Sequence, residues 1–98
     1  MKIGTVTEIK KQEYRVGLTP DSARSYIAHG HAVYVQKGAG LGSSFTDGQY
    51  AEAGCILADT AAEVFAAAYM IVKVKEPLET EYALIREGQI VYTYLHLA

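Results

Sequence analysis

Short apolar segments that favour β-strands alternate with segments that favour helices along the whole chain of 98 residues. The strand-like segments are rich in β-branched and aromatic residues and are bounded by polar residues, glycine or proline. They are Lys2–Glu8, His31–Gln36, Cys55–Ala58, Met70–Val74 and Gln89–Leu95. Neighbouring parallel strands need a long crossover connection, which is usually a helix. The alternation therefore predicts a sheet of five parallel strands.

The segments between these strands carry helix signals. Thr19 and Pro20 supply an N-cap and a proline at the first helical position, and Gly30 supplies a helix end. Capping-box patterns begin the next two helices, at Thr46–Gln49 and Thr60–Glu63, and a fourth helix is predicted over Glu79–Arg86. The predicted fold class is α/β, a doubly wound, flavodoxin-like parallel sheet with helices on both faces. Since no helix follows the fifth strand, we expect an incomplete domain.

Composition excludes several classes of protein. With 20% charged residues and a formal charge of −2, the chain has no general attraction to nucleic acid or to an anionic membrane. No apolar run approaches the roughly 18 residues of a membrane span, and the first residues do not resemble a signal peptide. The single cysteine, Cys55, excludes an internal disulfide and favours a small buried residue in a cytoplasmic protein. No spacing of metal ligands is present.

A glycine-rich loop follows the second strand, at Gly38-Ala39-Gly40-Leu41-Gly42, and resembles a dinucleotide fingerprint at first sight. The third glycine position is Ser43, however, and no helix begins directly from the loop. We therefore interpret the loop as a flexible connection in which glycine permits positive φ angles.

Cationic side chains collect where the predicted strands end. Lys73 and Lys75 are two residues apart in the segment Met70–Pro77, so they share one face of a strand near its carboxyl end. Arg15 follows the first strand, and His96 follows the fifth. Because the carboxyl ends of parallel strands lie at one edge of a sheet, these groups predict a site for a small 2-oxo acid or amino acid.

Structural explanations compete with this interpretation. Arg15 is also consistent with a solvated loop charge, and His96 with a structural histidine near a chain end. The two lysines are equally consistent with side chains that extend to solvent from a strand end, with Glu76 as an ion-pair partner.

Several stretches are together specific enough to suggest a family. They are IGTVTEIKKQEYRVGLTP, HGHAVYVQKGAG, MIVKVKEP and YTYLHLA. The chain resembles the amino-terminal part of alanine dehydrogenase, in the family that this enzyme shares with the nicotinamide nucleotide transhydrogenase α subunit. The resemblance covers essentially residues 1–98, as part of a substrate domain without the Rossmann domain that binds NAD.

The resemblance implies reversible, NAD-dependent oxidative deamination of L-alanine to pyruvate and ammonia. By matching motif, Arg15 would hold the substrate carboxylate, Lys75 would contact alanine or pyruvate, and His96 would be the acid and base for the carbinolamine or imine intermediates. Lys73 receives no firm role. The family also implies a homohexamer, with NAD held by the full-length chain, and we expect these 98 residues alone to bind no cofactor and to be inactive.

Two other functions stay open from the sequence. One is a domain like the transhydrogenase α subunit. The other is a non-catalytic module that binds a small carboxylate or associates with intact subunits.

Overall fold

The computed structural model describes residues 1–9 and 13–95. Its five strands are β1 (Lys2–Thr5), β2 (Ala32–Gln36), β3 (Ile56–Ala58), β4 (Met70–Lys75) and β5 (Ile90–Leu95). Its four α-helices are α1 (Pro20–Ala28), α2 (Asp47–Glu52), α3 (Ala61–Ala67) and α4 (Glu79–Tyr82), with a short 3₁₀ turn at Leu41–Ser43. All four strand pairings are parallel. The predicted five-stranded parallel α/β sheet is confirmed.

The order of the strands is β3-β2-β1-β4-β5. A flavodoxin-like sheet has the order 2-1-3-4-5, so this detail of the predicted fold is wrong. The alternation of strands and helices specifies that the strands are parallel but not which strands become neighbours. Here the connection from β3 to β4 crosses to the far side of β1, and the order reverses between β1 and β4. Open α/β sheets bind ligands at such a reversal point.

The loop after β1 enters the space between β1 and β4. These two strands pair only at Ile3 with Met70 and Gly4 with Ile71. Further along, the Thr5 hydroxyl donates to the carbonyl of Val72 at 2.8 Å. Gly17 packs there so closely that a Cβ would lie 2.2 Å from the same carbonyl oxygen. The close approach brings the residues just before Gly17 beside the end of β4.

The core forms two layers on opposite faces of the sheet. Neighbouring residues of β2 alternate between them, with Val33 and Val35 in one layer and Tyr34 packed against the other. Ala23 of α1 and Tyr50 of α2 belong to the first layer. Val64 and Phe65 of α3 belong to the second. The predicted placement of helices on both faces is confirmed.

Most helix starts agree with the sequence. Thr19 caps α1, and its hydroxyl accepts from the Ser22 amide at 3.1 Å. The predicted capping box of α2 is complete, since the side chains of Thr46 and Gln49 each accept a backbone N–H from the other residue.

The capping box predicted for α3 is only half formed. The Thr60 hydroxyl accepts from the Glu63 amide at 3.2 Å, but the Glu63 carboxylate accepts from Asp59 rather than from Thr60. The helix is therefore capped through the hydroxyl alone.

Two predicted elements end several residues earlier than expected. β1 ends at Thr5 rather than Glu8, because the Thr7 amide donates to the side chain of Gln36 instead of a strand carbonyl. α4 ends at Tyr82 rather than Arg86. The Arg86 guanidinium turns back and donates to carbonyls at the end of α3. Across the described ranges, none of the helices combines the length and apolar character needed to cross a membrane.

Candidate functional site

The glycine-rich loop after β2 packs against its own chain. A Cβ on Gly40 would lie 2.6 Å from the ring of Tyr50, and a Cβ on Gly42 would lie 2.6 Å from the carbonyl oxygen of Tyr14. The Gly38 amide donates to the Asp47 carboxylate at 2.8 Å. Gly40 and Gly42 are required for close packing, and Gly38 adopts a positive φ of 84°, as predicted for this loop.

Lys73 is a buried charge with two carboxylate partners. Its side chain is 1% exposed, and its ammonium donates to Glu8 at 3.3 Å and to Glu81 at 3.2 Å. Burying an ammonium is costly unless anionic groups compensate it. We call Glu8, Lys73 and Glu81 the Lys73 cluster. Its internal pairing identifies Lys73 as a structural residue.

The two carboxylates of the Lys73 cluster also hold the backbone after β4. Glu8 accepts the amides of Val74 at 2.9 Å and Lys75 at 3.3 Å. Glu81 accepts the amide of Leu78 at 3.0 Å. The sequence indicated that Lys73 needs an anion, but gave no sign that Glu8 and Glu81 supply it.

Arg15 and Lys75 lie against a single carboxylate, that of Glu13. The Nε and Nη2 atoms of Arg15 donate to the two oxygens of Glu13, each at 3.0 Å. The Lys75 ammonium lies 3.7 Å from Oε1 of the same carboxylate. The exposed fractions of the three side chains are 59% for Arg15, 22% for Lys75 and 3% for Glu13. We call these residues the Glu13 cluster.

The charges in the Glu13 cluster stabilise one another. The hydrogen bond from Arg15 is the main cause that lowers the pKa of Glu13 from 4.5 to about 2, although burial opposes the shift. The same hydrogen bond raises the pKa of Arg15. Glu13 therefore stays ionised at neutral pH. Sequence reasoning missed Glu13, although a carboxylate two residues before Arg15 is near enough in sequence to form an ion pair with it.

His96 lies outside the described residues, so its predicted role is not tested. The strand that precedes it is joined to the loop after β1, because the hydroxyl of Tyr94 donates to the carbonyl of Gly17 at 2.7 Å. Through their shared contact with Glu13, Arg15 and Lys75 lie together at the carboxyl edge of the sheet, as predicted.

Two grooves open beside Arg15. The larger, of about 360 Å³, is lined by Arg15, Val74 and Tyr94 among others. The smaller, of about 270 Å³, is lined by Glu8, Glu13 and Arg15 among others. Lys75 lines neither groove, but its ammonium lies 3.7 Å from Glu13 of the smaller one. Within residues 1–9 and 13–95, no group of three or more potential ligands is placed to bind a metal ion.

Cys55 and Tyr50 are not poised for chemistry at neutral pH. Burial raises the pKa of the Cys55 thiol to about 11 and that of the Tyr50 hydroxyl to about 12. The Tyr50 hydroxyl instead donates to the carbonyl of Leu18 at 2.7 Å. Both groups therefore stay protonated and serve packing.

The fold and its rim define a doubly wound α/β domain with paired cations at the carboxyl edge of the sheet. Residues 4–98 match the family model described as "Alanine dehydrogenase/PNT, N-terminal domain". The chain belongs to this family. It is 54% identical to an alanine dehydrogenase of Methanococcus maripaludis and 55% identical to one of Bilophila wadsworthia, over all of its 98 residues. These residues span 26% of each relative's length.

Solved structures agree with this assignment. An L-alanine dehydrogenase superposes with a TM-score of 0.94 and 45% identity over 98% of the chain. A transhydrogenase from Sinorhizobium meliloti superposes with a TM-score of 0.86 and 33% identity over 93% of the chain. In both cases the match covers 26% of the other protein. The predicted family is confirmed, and the chain corresponds to about a quarter of these proteins.

Proposed function

We propose that this chain forms the amino-terminal part of an alanine dehydrogenase and binds the carboxylate end of L-alanine or pyruvate. The full enzyme would catalyse reversible, NAD-dependent deamination of L-alanine to pyruvate and ammonia. Arg15 and Lys75 would bind the substrate, and His96 would transfer protons. Substrate binding and hydride transfer would then be divided between this chain and further parts of the enzyme.

One observation carries this proposal, namely that Arg15 and Lys75 reach the same carboxylate. Both cations lie within 4 Å of Glu13, so their charged groups are close enough together to contact one small ligand. A guanidinium binds a carboxylate with a planar pair of donors, and an ammonium adds a point charge. This combination suits a small substrate with a carboxylate beside a carbonyl or amino group.

The charges of the rim favour an anionic ligand of this size. Arg15 and Lys75 carry two positive charges against the single negative charge of Glu13, which leaves one positive charge in the Glu13 cluster. Lys73 is excluded from ligand binding, because its ammonium is buried between Glu8 and Glu81. A monocarboxylate would neutralise the remaining positive charge of the Glu13 cluster.

The acid and base role proposed for His96 rests on the matching motif YLHLA, in which His96 directly follows the sequence of β5. Imidazole exchanges protons near neutral pH, and the reaction needs a proton at the substrate nitrogen or oxygen as the carbonyl forms. When bound to the full enzyme, NAD would accept the hydride. The loop of Gly38 to Gly42 has Ser43 at the third glycine position of a dinucleotide fingerprint, so we infer that another part of the enzyme binds NAD and that these residues alone are inactive.

A chimera tests the activity. In it, this chain replaces the aligned 98 residues of the Methanococcus maripaludis alanine dehydrogenase. We expect formation of NADH on addition of L-alanine and NAD, and a loss of at least about 100-fold for His96→Ala, as for a general acid and base. An active chimera that is unaffected by His96→Ala would contradict the role of His96.

Matched variants test the substrate contacts in the same chimera. Arg15→Met should raise the KM for pyruvate, whereas Arg24→Met should not, because Arg24 is similarly exposed at 56% but pairs with Asp21 on α1. Lys75→Met is compared with Lys37→Met, since Lys37 pairs with Asp59 away from the site. Equal KM values within each pair would contradict the substrate contacts.

The similarity to a transhydrogenase gives a second candidate function. Its identity to the chain is lower, at 33% against 45% for the alanine dehydrogenase structure. A transhydrogenase-like function would require exchange between two nucleotides with no response to alanine.

We further propose a cytoplasmic homo-oligomer, a hexamer by analogy with the family. Sedimentation of the full enzyme would test this oligomeric state.

A further inference from the structure

We propose that Glu13 is a positioning residue that orients Arg15 and Lys75 for the substrate carboxylate. The inference deepens the proposed function and rests on it. Glu13 lies behind the two cations rather than in place of the ligand. The competing possibility is that Glu13 occupies the substrate position and must be displaced.

Burial favours positioning over competition. The Glu13 side chain is 3% exposed, whereas Arg15 is 59% exposed and Lys75 is 22% exposed. A ligand in the larger groove therefore meets Arg15 and not Glu13, which lines only the smaller groove. Glu13 forms the inner side of the cluster.

Backbone contacts keep Glu13 in place. Its Oε2 atom accepts both the Arg15 amide at 2.9 Å and the Arg15 Nε at 3.0 Å. Moving the carboxylate away would break three hydrogen bonds to Arg15 and leave an ion buried without a partner, which is costly. The guanidinium is thereby fixed relative to its own backbone.

The geometry of the pair leaves donors available on both cations. A guanidinium has five N–H donors, and Glu13 uses the edge formed by Nε and Nη2. Nη1 and the second hydrogen of Nη2 form another edge that can bind a second carboxylate. The Lys75 ammonium lies 3.7 Å from Glu13, which is longer than a hydrogen bond, so its donors are not committed to Glu13.

The arrangement resembles a general solution for a precise binding site, in which packed and hydrogen-bonded groups hold the residues that touch the ligand. Long cationic side chains otherwise lose rotamer freedom when they bind a ligand. Because Glu13 orders Arg15 in advance, less of that freedom is lost on binding.

The test follows the Arg15 Nε–H signal by NMR in the chain of 98 residues. There are three arginines, so Arg15→Lys assigns this signal by its disappearance. We expect slow exchange of the Arg15 Nε proton with solvent and no loss of this protection when pyruvate binds. In Glu13→Gln the protection should disappear and pyruvate should bind about tenfold more weakly, with Glu13→Asp intermediate.

Kinetics of the chimera supply a second measurement that does not depend on folding of the isolated chain. Glu13→Gln should raise the KM for pyruvate about tenfold and change kcat much less, because the positions of the proton-transfer groups are retained. Glu87→Gln makes the same change of charge at an exposed residue before the amino end of β5 and should leave KM unchanged.

Different failures identify different errors. Loss of Nε protection on adding pyruvate, together with tighter binding by Glu13→Gln, would show competition and overturn the inference. Pyruvate binding that is equal in wild type and Glu13→Gln would overturn the inference and leave the proposed function standing. If pyruvate neither binds the wild-type chain nor is reduced by the chimera, the proposed function fails, and the inference fails with it.

Discussion

Lys73 and Lys75 are two residues apart on the same strand and the same face, yet their surroundings differ. Lys73 is 1% exposed and donates to two carboxylates at 3.2 and 3.3 Å. Lys75 is 22% exposed, and its ammonium lies 3.7 Å from one carboxylate. The buried lysine has its charge compensated inside the protein, whereas the outer one keeps donors available for a ligand. Position along β4 therefore separates a structural cation from the cation that we propose to bind substrate.

The largest expected effect comes from removing the buried lysine. Lys73→Met leaves Glu8 and Glu81 buried without their cation, so we expect a loss of about 3–5 kcal/mol in the free energy of unfolding. Lys75→Met removes a longer, partly exposed contact and should cost less than about 1 kcal/mol. Urea denaturation of both variants measures the difference. An equal loss, or a larger loss for Lys75→Met, would contradict the distinction between the two lysines. Complete failure of Lys73→Met to fold would be the extreme form of the expected loss of stability.

The comparison between the lysines also shows where sequence reasoning reaches its limit. The run MIVKVKEP correctly predicts that both lysines lie near the carboxyl end of a strand, because β-strand alternation is local. The partners of Lys73 come from Glu8, 65 residues earlier, and Glu81, eight residues later. Their convergence depends on β1 and β4 being neighbours. That neighbour relation is not encoded by local periodicity, which is also why the strand order was predicted wrongly.

Local sequence signals predicted the structure best where a residue type acts through its own backbone or its nearest neighbours, as at helix ends. Thr19 with Pro20 predicted the start of α1, and Gly30 adopts the positive φ of 91° that suits a residue after a helix. The glycines at Gly40 and Gly42 were harder, because they are needed for contacts with distant residues rather than for their own backbone angles.

The second largest effect is expected where the loop after β1 meets β4. Gly17→Ala would put a methyl group 2.2 Å from the backbone carbonyl of Val72, which cannot rotate away. We expect a loss of about 1–3 kcal/mol, as for overpacking in a core. Because this loop carries Arg15, pyruvate binding should weaken as well.

Gly48→Ala is the matched control for Gly17→Ala. It lies in α2, where an added Cβ comes no closer than 3.7 Å to its neighbours, and alanine favours a helix by about 0.5–1 kcal/mol over glycine. Thermal and urea unfolding of the two variants should therefore change in opposite directions. A neutral Gly17→Ala variant would mean that the loop does not depend on its close approach to β4.

The last prediction distinguishes the Glu13 cluster by its response to acid. The folded-state pKa of Glu13 is about 2, below its ordinary value of 4.5, so its ionisation stabilises the folded chain fully above pH 4.5. That contribution is lost as the pH falls from about 4.5 towards 2, when the carboxylate facing Arg15 and Lys75 becomes protonated. Glu13→Gln should therefore be less stable than wild type at neutral pH, and the two Tm curves should converge as the pH approaches 2. The other carboxylates are present in both proteins, so their contribution cancels from the difference between the curves. Parallel curves over this range would show that Glu13 gains nothing from its cations and would weaken the case that it holds them in place.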